Sequence, residues 1–299
     1  MSQSTSIYHY GSEQPLPEQR VLRAGPLTML YENGDLRYIR LGEHEIVRRL
    51  YVAVRDRNWG TVLPQFSNVQ FEIGSDSFAI RYDVTNQQNE LDFRWHGEMV
   101  GDSDGTIRCS LDGKAHSTFL RNRIGFCLLH PMAIAGARAR IEHVDGTRED
   151  QHFPLHIAQQ LVINGEIKPV IPFNEMRAIA HEVTAGQWAE VRFAGETFEM
   201  EDQRNWTDAS YKTYGTPLRL AFPVEVQAGT PISQSVTIRL LREDKASAPL
   251  PVQARKSRTS TAPVSVEIDA TSAKPLPRIG LGVASHGQPL NKRDRKSVV

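Results

Sequence analysis

The chain has 299 residues, enough for one large β domain or two smaller domains with substantial cores. Thirty-five basic residues balance 35 acidic ones, so no overall field favours nucleic acid or an anionic membrane as a partner, and we expect neither. The amino-terminal segment lacks the basic start and apolar core of a signal peptide, and no apolar run approaches the roughly 20 residues that span a bilayer. With only Cys109 and Cys127, the composition predicts a cytoplasmic protein with reduced thiols.

Short segments of strand type dominate the first 243 residues. LTMLYENGDLRYIRLG places Asn33-Gly34 between two apolar segments, which is the strongest hairpin signal in the chain. Further strand-like segments are VQFEIG, FAIRYDV, ELDFRWHGEMVG, GTIRCSLDG, ARARIEHVDG, HIAQQLVING, AEVRFAGETFEME, LRLAFPVEVQAG and SVTIRLLRE. Since no long segment carries an apolar stripe of period 3.6, we expect an all-β domain over residues 1–243. Its predicted architecture is a large, supersandwich-like antiparallel β-sandwich.

The composition changes after this domain. Residues 244–277 are rich in Ser, Thr, Ala and Pro and predict a linker, in which VSVEID is one possible extra strand. PRIGLGVAS then resembles one buried strand, and the chain ends within residues 278–299. A buried strand needs partners on both sides, so we expect this segment to begin a (β/α) barrel of which the chain contains only the start.

Two motifs fail on inspection. His152 and His156 have the spacing of a zinc pair on a helix, but Pro154 lies between them and no Glu follows His152. GLGVASHG begins like a dinucleotide fingerprint, yet Ser285 stands where the third glycine belongs and no helix follows. We therefore predict no metal and no cofactor.

RNRIGFCLLHP is the first candidate for chemistry. Arg121 and Arg123 precede a strand that delivers His130 just before a proline, so the arginines could grip hydroxyls or a carboxylate while the imidazole serves as acid or base. The alternative is a core or strand-end histidine beside a solvated pair of arginines.

FEMEDQRNWTDASYKTY, residues 198–214, is the second candidate. Glu199 and Glu201 project from one face of a strand because side chains alternate. Polar and aromatic residues of the kind that hold a sugar ring and its hydroxyls follow them: Asp202, Arg204, Asn205, Trp206, Asp208, Tyr211, Lys212 and Tyr214. The alternative is a turn whose charges pair with one another.

These residues also carry a family resemblance. FEMEDQRNWTDASYKTYGTPL, RNRIGFCLLHP and IPFNEMRAIAHEV together resemble the amino-terminal region of the D-apionate lactonase family, over most of residues 20–245 and into PRIGLGVAS. The resemblance implies hydrolysis of D-apionolactone to D-apionate in D-apiose catabolism, with a small sugar lactone as substrate. It supplies no catalytic residues, so the roles come from the residues themselves. We predict Glu199, Glu201 and His130 as catalytic, and as substrate-binding Arg123, Asp202, Arg204, Asn205, Trp206, Asp208 and Lys212.

Other functions stay open from the sequence. If the catalytic site lies in the barrel, the chain as given lacks it and is inactive. A non-catalytic carbohydrate-binding sandwich would use Trp206, Tyr211 and Arg204 without turnover. An aldose-epimerase-like enzyme would instead pair His130 with a Glu as acid and base.

Overall fold

A computed structural model describes residues 13–163, 166–167, 170–204 and 210–242. Almost every element in these ranges is a β-strand, apart from one 3₁₀ turn at Met132–Ile134. The first strands are β1 (Gln19–Ala24), β2 (Leu27–Glu32), β3 (Asp35–Leu41), β4 (His44–Asp56), β5 (Pro64–Ile73), β6 (Phe78–Gln88), β7 (Leu91–Gly101), β8 (Ile107–Ala115), β9 (Phe119–Pro131) and β10 (Arg138–His143). The others are β11 (Arg148–His152), β12 (Val162–Ile163), β13 (Glu166–Ile167), β14 (Phe173–Thr184), β15 (Gln187–Ala194), β16 (Phe198–Glu201), β17 (Ser210–Tyr214), β18 (Val224–Val226) and β19 (Pro231–Arg242).

Within the described residues, 17 of these strands form one continuous sheet with two arms, and β12 and β13 pair separately. The first arm has the order β1-β2-β3-β4-β9-β17-β16, with β18 also beside β9. The second has the order β5-β6-β7-β8-β19-β15-β14-β10-β11. The arms are joined by β14, which pairs with β15 over residues 178–184 and with β16 over residues 173–176. All of these pairs are antiparallel, which confirms the predicted antiparallel all-β fold.

The two arms enclose one hydrophobic core. In β6 and β7 every second side chain is buried, as expected for strands with one face toward the core. One cluster of buried residues includes side chains from both arms, and the rings of Tyr31 and Phe71 meet edge to face at 5.3 Å between them. The sheet is therefore folded over on itself. No helix in the described ranges is long and apolar enough to cross a membrane.

A buried amide connects the arms. The Gln234 side chain accepts a hydrogen bond from the Phe126 N–H (3.0 Å) and donates one to the Ile124 carbonyl (3.1 Å). Gly125 lies between these two residues with φ of +150°, and a Cβ there would come within 2.2 Å of the Gln234 oxygen. A glycine is required because any side chain would displace the amide.

The strand predictions are confirmed in most segments and wrong in three. Asn33-Gly34 forms the turn between β2 and β3, and both residues have positive φ as a two-residue hairpin requires. By contrast, residues 156–161 form no strand. Residues 218–223 form a loop, which Pro217 precedes and Pro223 ends, and neither proline has an N–H to donate to a ladder. Residues 210–214, expected in a loop, form β17. The predicted linker 244–277 and barrel start 278–299 lie outside the described residues.

Candidate functional site

The middle of the first arm is buried on both faces. From residue 122 to its end, β9 has no exposed side chain, although only one face can meet the core. Its outer face is covered by the loop of residues 215–223, where Leu218 packs against Ala53, Cys127 and Tyr214. Charged side chains under this loop are consequently shielded from water, which makes their partners decisive.

Strand register places the predicted carboxylates in two rows on this outer face. Glu199 lies opposite Tyr214, which lies opposite Cys127 on β9. Glu201 lies opposite Lys212, which lies opposite Leu129. The rows continue onto β4 as Tyr51 and Arg49. We call Glu199, Glu201, Lys212, Tyr214 and Arg123 the outer-face cluster.

Glu199 holds the covering loop in place. Its carboxylate accepts a hydrogen bond from the Leu218 N–H at 2.6 Å, and the side chain is almost completely buried. Arg123 is buried beside it and donates to the carbonyls of Asn122 (2.6 Å) and Pro217 (3.3 Å). Both residues therefore anchor the 215–223 loop to the sheet.

Electrostatic interactions connect Glu199, Tyr214 and Arg123 within the outer-face cluster. Burial lowers the pKa of the Arg123 guanidinium, while Tyr214 and Glu199 act in the opposite direction. Burial raises the pKa of Tyr214, and the negative charge of Glu199 raises it further. Tyr214 thus carries a neutral hydroxyl that can donate a hydrogen bond. The opposite charges of the Glu199 carboxylate and the Arg123 guanidinium beside it balance each other.

Glu201 and Lys212 form the more open half of the cluster. Both side chains are half-buried, unlike Glu199. Burial raises the pKa of Glu201, the Lys212 charge lowers it, and the neighbouring Asp202 raises it. The Lys212 ammonium lies 5.7 Å from the centre of the Tyr214 ring. A carboxylate with a raised pKa that solvent can reach is suited to accept a proton from water.

Asp202 and Arg204 lie beside this cluster, where their charges act on Glu201, but their hydrogen bonds go to each other and to Ala158. Asp202 is fully buried, and it accepts hydrogen bonds from the Ala158 N–H at 3.1 Å and from the Arg204 guanidinium at 2.8 Å. Burial raises the Asp202 pKa, but these bonds outweigh it and hold the pKa below its usual value. Arg204 also donates to the Ala158 carbonyl at 2.7 Å. The pair secures the backbone at Ala158, which matches the alternative of charges that pair with one another.

His130 lies on the opposite face of β9 from the cluster. It is fully buried, and its ring lies 5.4 Å from that of Phe153 and 5.7 Å from that of His181. Burial, and then His181, lower its pKa to about 3, so the imidazole is neutral and sealed from solvent. This placement agrees with the core-histidine alternative and does not bring His130 to Glu199 or Glu201.

Asn205, Trp206 and Asp208 lie outside the described residues. Within the described ranges, no three His, Cys, Asp or Glu side chains come together in an arrangement that could hold a metal ion. Sequence reasoning missed Tyr51, Trp59 and Phe222, which border the cluster or contact Arg123. No local motif marks them, because the pairing of β4 with β9 joins segments far apart in the chain.

The fold and this site define an antiparallel β domain with a shielded, charge-balanced polar face. The family model described as "D-apionate lactonase, N-terminal domain" matches residues 7–243, and the chain belongs to this family. A D-apionate lactonase from Brucella anthropi is 35% identical over 283 residues, which cover 94% of this chain and 44% of that protein. The chain thus spans less than half the length of this relative.

Solved structures resemble the chain more distantly. The α-galactosidase from Lactobacillus brevis has a TM-score of 0.46 at 10% identity, covering 77% of this chain and 40% of that one. The galactose 1-epimerase from Lactobacillus acidophilus has a TM-score of 0.39 at 5% identity, covering 76% and 99% of the respective chains.

Proposed function

We propose that this chain is the amino-terminal region of a cytoplasmic sugar lactonase that hydrolyses D-apionolactone to D-apionate in D-apiose breakdown. Membership of the D-apionate lactonase family supports the substrate, as does the name of the relative from Brucella anthropi. The observation that carries the site is the solvent-reachable Glu201, opposite Lys212 and beside the buried Glu199 and Arg123.

In this proposal Glu201 is the general base. It takes a proton from a water molecule as the water oxygen attacks the lactone carbonyl carbon. The negative charge that develops on the carbonyl oxygen is stabilised by the Lys212 ammonium. The ring carbon–oxygen bond then breaks, and the ring oxygen receives the proton from protonated Glu201, giving a hydroxy acid from one lactone and one water.

The other predicted residues support this arrangement. Glu199 and Arg123 position the 215–223 loop over the face, and Asp202 with Arg204 fix the backbone at Ala158. His130 takes no part, because it lies across the sheet in the core. An epimerase mechanism that pairs His130 with Glu199 or Glu201 gains no support from this geometry.

The test is the hydrolysis of D-apionolactone, followed by proton release. It uses the 299-residue chain and the same chain joined to the remaining part of the Brucella anthropi relative. We expect Glu201→Gln to lower kcat by about 100-fold or more, in line with the loss of a general base. Glu72→Gln, at a well-exposed carboxylate on β5, is the matched control and should leave the rate unchanged.

Three results would contradict parts of the proposal. Absence of hydrolysis by both proteins would remove the lactonase assignment for this chain. Hydrolysis that Glu201→Gln leaves unchanged would remove Glu201 as the base. Sugar binding without turnover by either protein would instead favour the non-catalytic carbohydrate-binding domain.

A further inference from the structure

An exposed aromatic pair stands beside the outer-face cluster. The rings of Trp59 and Phe222 meet edge to face, 5.2 Å apart between centroids. Trp59 is 42% exposed and Phe222 is 43% exposed, although aromatic side chains of this size contribute most when they are buried. Two such rings in contact at the surface present exposed apolar ring faces, called here the platform, of the type on which sugar rings stack.

The Trp59 loop is built to hold this ring outward. Trp59 has φ of +66°, a conformation rare for a bulky residue. The Asp56 carboxylate accepts hydrogen bonds from the Asn58 N–H (2.8 Å) and the Gly60 N–H (2.7 Å), and the Trp59 N–H donates to the Asp56 carbonyl (3.2 Å). Bonds that enforce an unfavourable backbone are typical of segments that position a functional side chain.

A buried guanidinium lies under both rings. The Arg123 guanidinium carbon is 5.2 Å from the centre of each ring, and the residue is only 6% exposed. Its Nε is buried without a hydrogen-bond partner. Arg123 also interacts with Glu199 and Tyr214, so it connects the platform to the outer-face cluster.

We propose that Trp59 and Phe222 form a stacking subsite for the sugar ring, oriented by Arg123, next to the outer-face cluster. The inference rests on the proposed function for the identity of the sugar. The ligand class is a small aldonolactone, with an apolar ring face against the aromatic pair and its polar groups toward Arg123. Trp59 and Phe222 set affinity and take no part in proton transfer.

Binding is measured on the 299-residue chain by calorimetry with two closed-ring aldonolactones, D-ribono-1,4-lactone and D-erythrono-1,4-lactone, as probes. Trp59→Ala should weaken affinity about 3- to 10-fold, the range expected for one lost aromatic contact, and Phe222→Ala should act in the same direction. Trp59→Phe keeps a ring and should stay within about 2-fold of the parent. Leu63→Ala, at a side chain that is 73% exposed just after the same loop, is the control and should bind like the parent.

The outcomes separate this inference from the lactonase proposal. In a hydrolysing protein, Trp59→Ala should raise KM and leave kcat nearly unchanged. Hydrolysis by Trp59→Ala with an unchanged KM would overturn the stacking subsite and leave the lactonase proposal standing. Binding that depends on Trp59, without hydrolysis, would support the stacking subsite and overturn the lactonase proposal. If Trp59→Ala alters self-association in sedimentation without altering affinity for the probes, the platform is a protein contact and the inference fails. Should Trp59→Ala not fold, Phe222→Ala and Trp59→Phe decide between these outcomes.

Discussion

Acid sensitivity is a direct consequence of the two histidines sealed in the core. His130 and His181 are 0% and 1% exposed. Burial, with His181 adding to it, lowers the pKa of His130 to about 3, and burial lowers that of His181 to about 4, from the ordinary value of 6.5. The folded protein therefore keeps both rings neutral well below the pH at which the unfolded chain takes up protons.

The sign and size of the effect follow from linkage. Above about pH 6.5 both imidazoles are neutral in the folded and the unfolded chain, so they do not reduce the free energy of unfolding. As the pH falls from 6.5 toward 3 or 4, this free energy decreases, because the imidazoles take up protons only in the unfolded chain. At pH 5 each histidine lowers the free energy of unfolding by about 2 kcal/mol, since the pH is about 1.5 units below 6.5 and each unit is worth roughly 1.4 kcal/mol. Asp35 acts in the opposite direction, because burial raises its pKa to about 6 and the folded chain takes up this proton first. It raises the free energy of unfolding at pH 5 by about 1 kcal/mol.

The assay is urea unfolding followed by tryptophan fluorescence between pH 7.5 and pH 5. The parent chain should lose about 3 kcal/mol of unfolding free energy over this range, which is a large part of a typical total of about 5 to 15. His130→Phe keeps a ring among Phe153 and Tyr211 but cannot be protonated, so its loss should be smaller by about 2 kcal/mol. His44→Phe, at an exposed position, should retain the parental slope. Equal pH slopes for the parent and His130→Phe would refute the reasoning.

Two further predictions concern the frame of the site. Gly125→Ala should destabilise the fold by about 2 kcal/mol or more, because its Cβ would displace the Gln234 amide. Thermal unfolding measures this loss, and an equal loss of stability in a Gln234→Ala background would contradict the explanation. Asp202→Asn should speed hydrogen exchange at the Ala158 amide, because it weakens the hydrogen bonds of Asp202 to Ala158 and Arg204. Asp150→Asn, at a mostly exposed side chain, is the control and should leave this exchange unchanged. Unchanged exchange in Asp202→Asn would show that other contacts hold this amide.

Local pattern was sufficient for the fold class and for part of the site. Alternation predicted most strands, and it placed Glu199 and Glu201 on one face of β16, as the structure shows. The choice for His130 depended on which face of β9 meets the core. The IGFCLL run before it, residues 124–129, is apolar on both faces, so it carried no signal for that choice. The pairing of β4 with β9 is equally invisible locally, which is why Tyr51 and Trp59 were missed.

The strand prediction over LRLAFPVEVQAG is right for Val224–Val226, and its failure over residues 218–223 explains how a charged face becomes shielded. A second ladder over 218–223 would have left Glu199 and Arg123 open to water, where a carboxylate and a guanidinium contribute little. Instead residues 215–223 form the covering loop, which is hydrogen-bonded to both side chains. Apolar residues of similar size often stabilise a buried face as well as a pair of charges does. The two charges beside the reachable Glu201 and the outward Trp59 therefore agree with the proposed binding of a polar ligand that meets both.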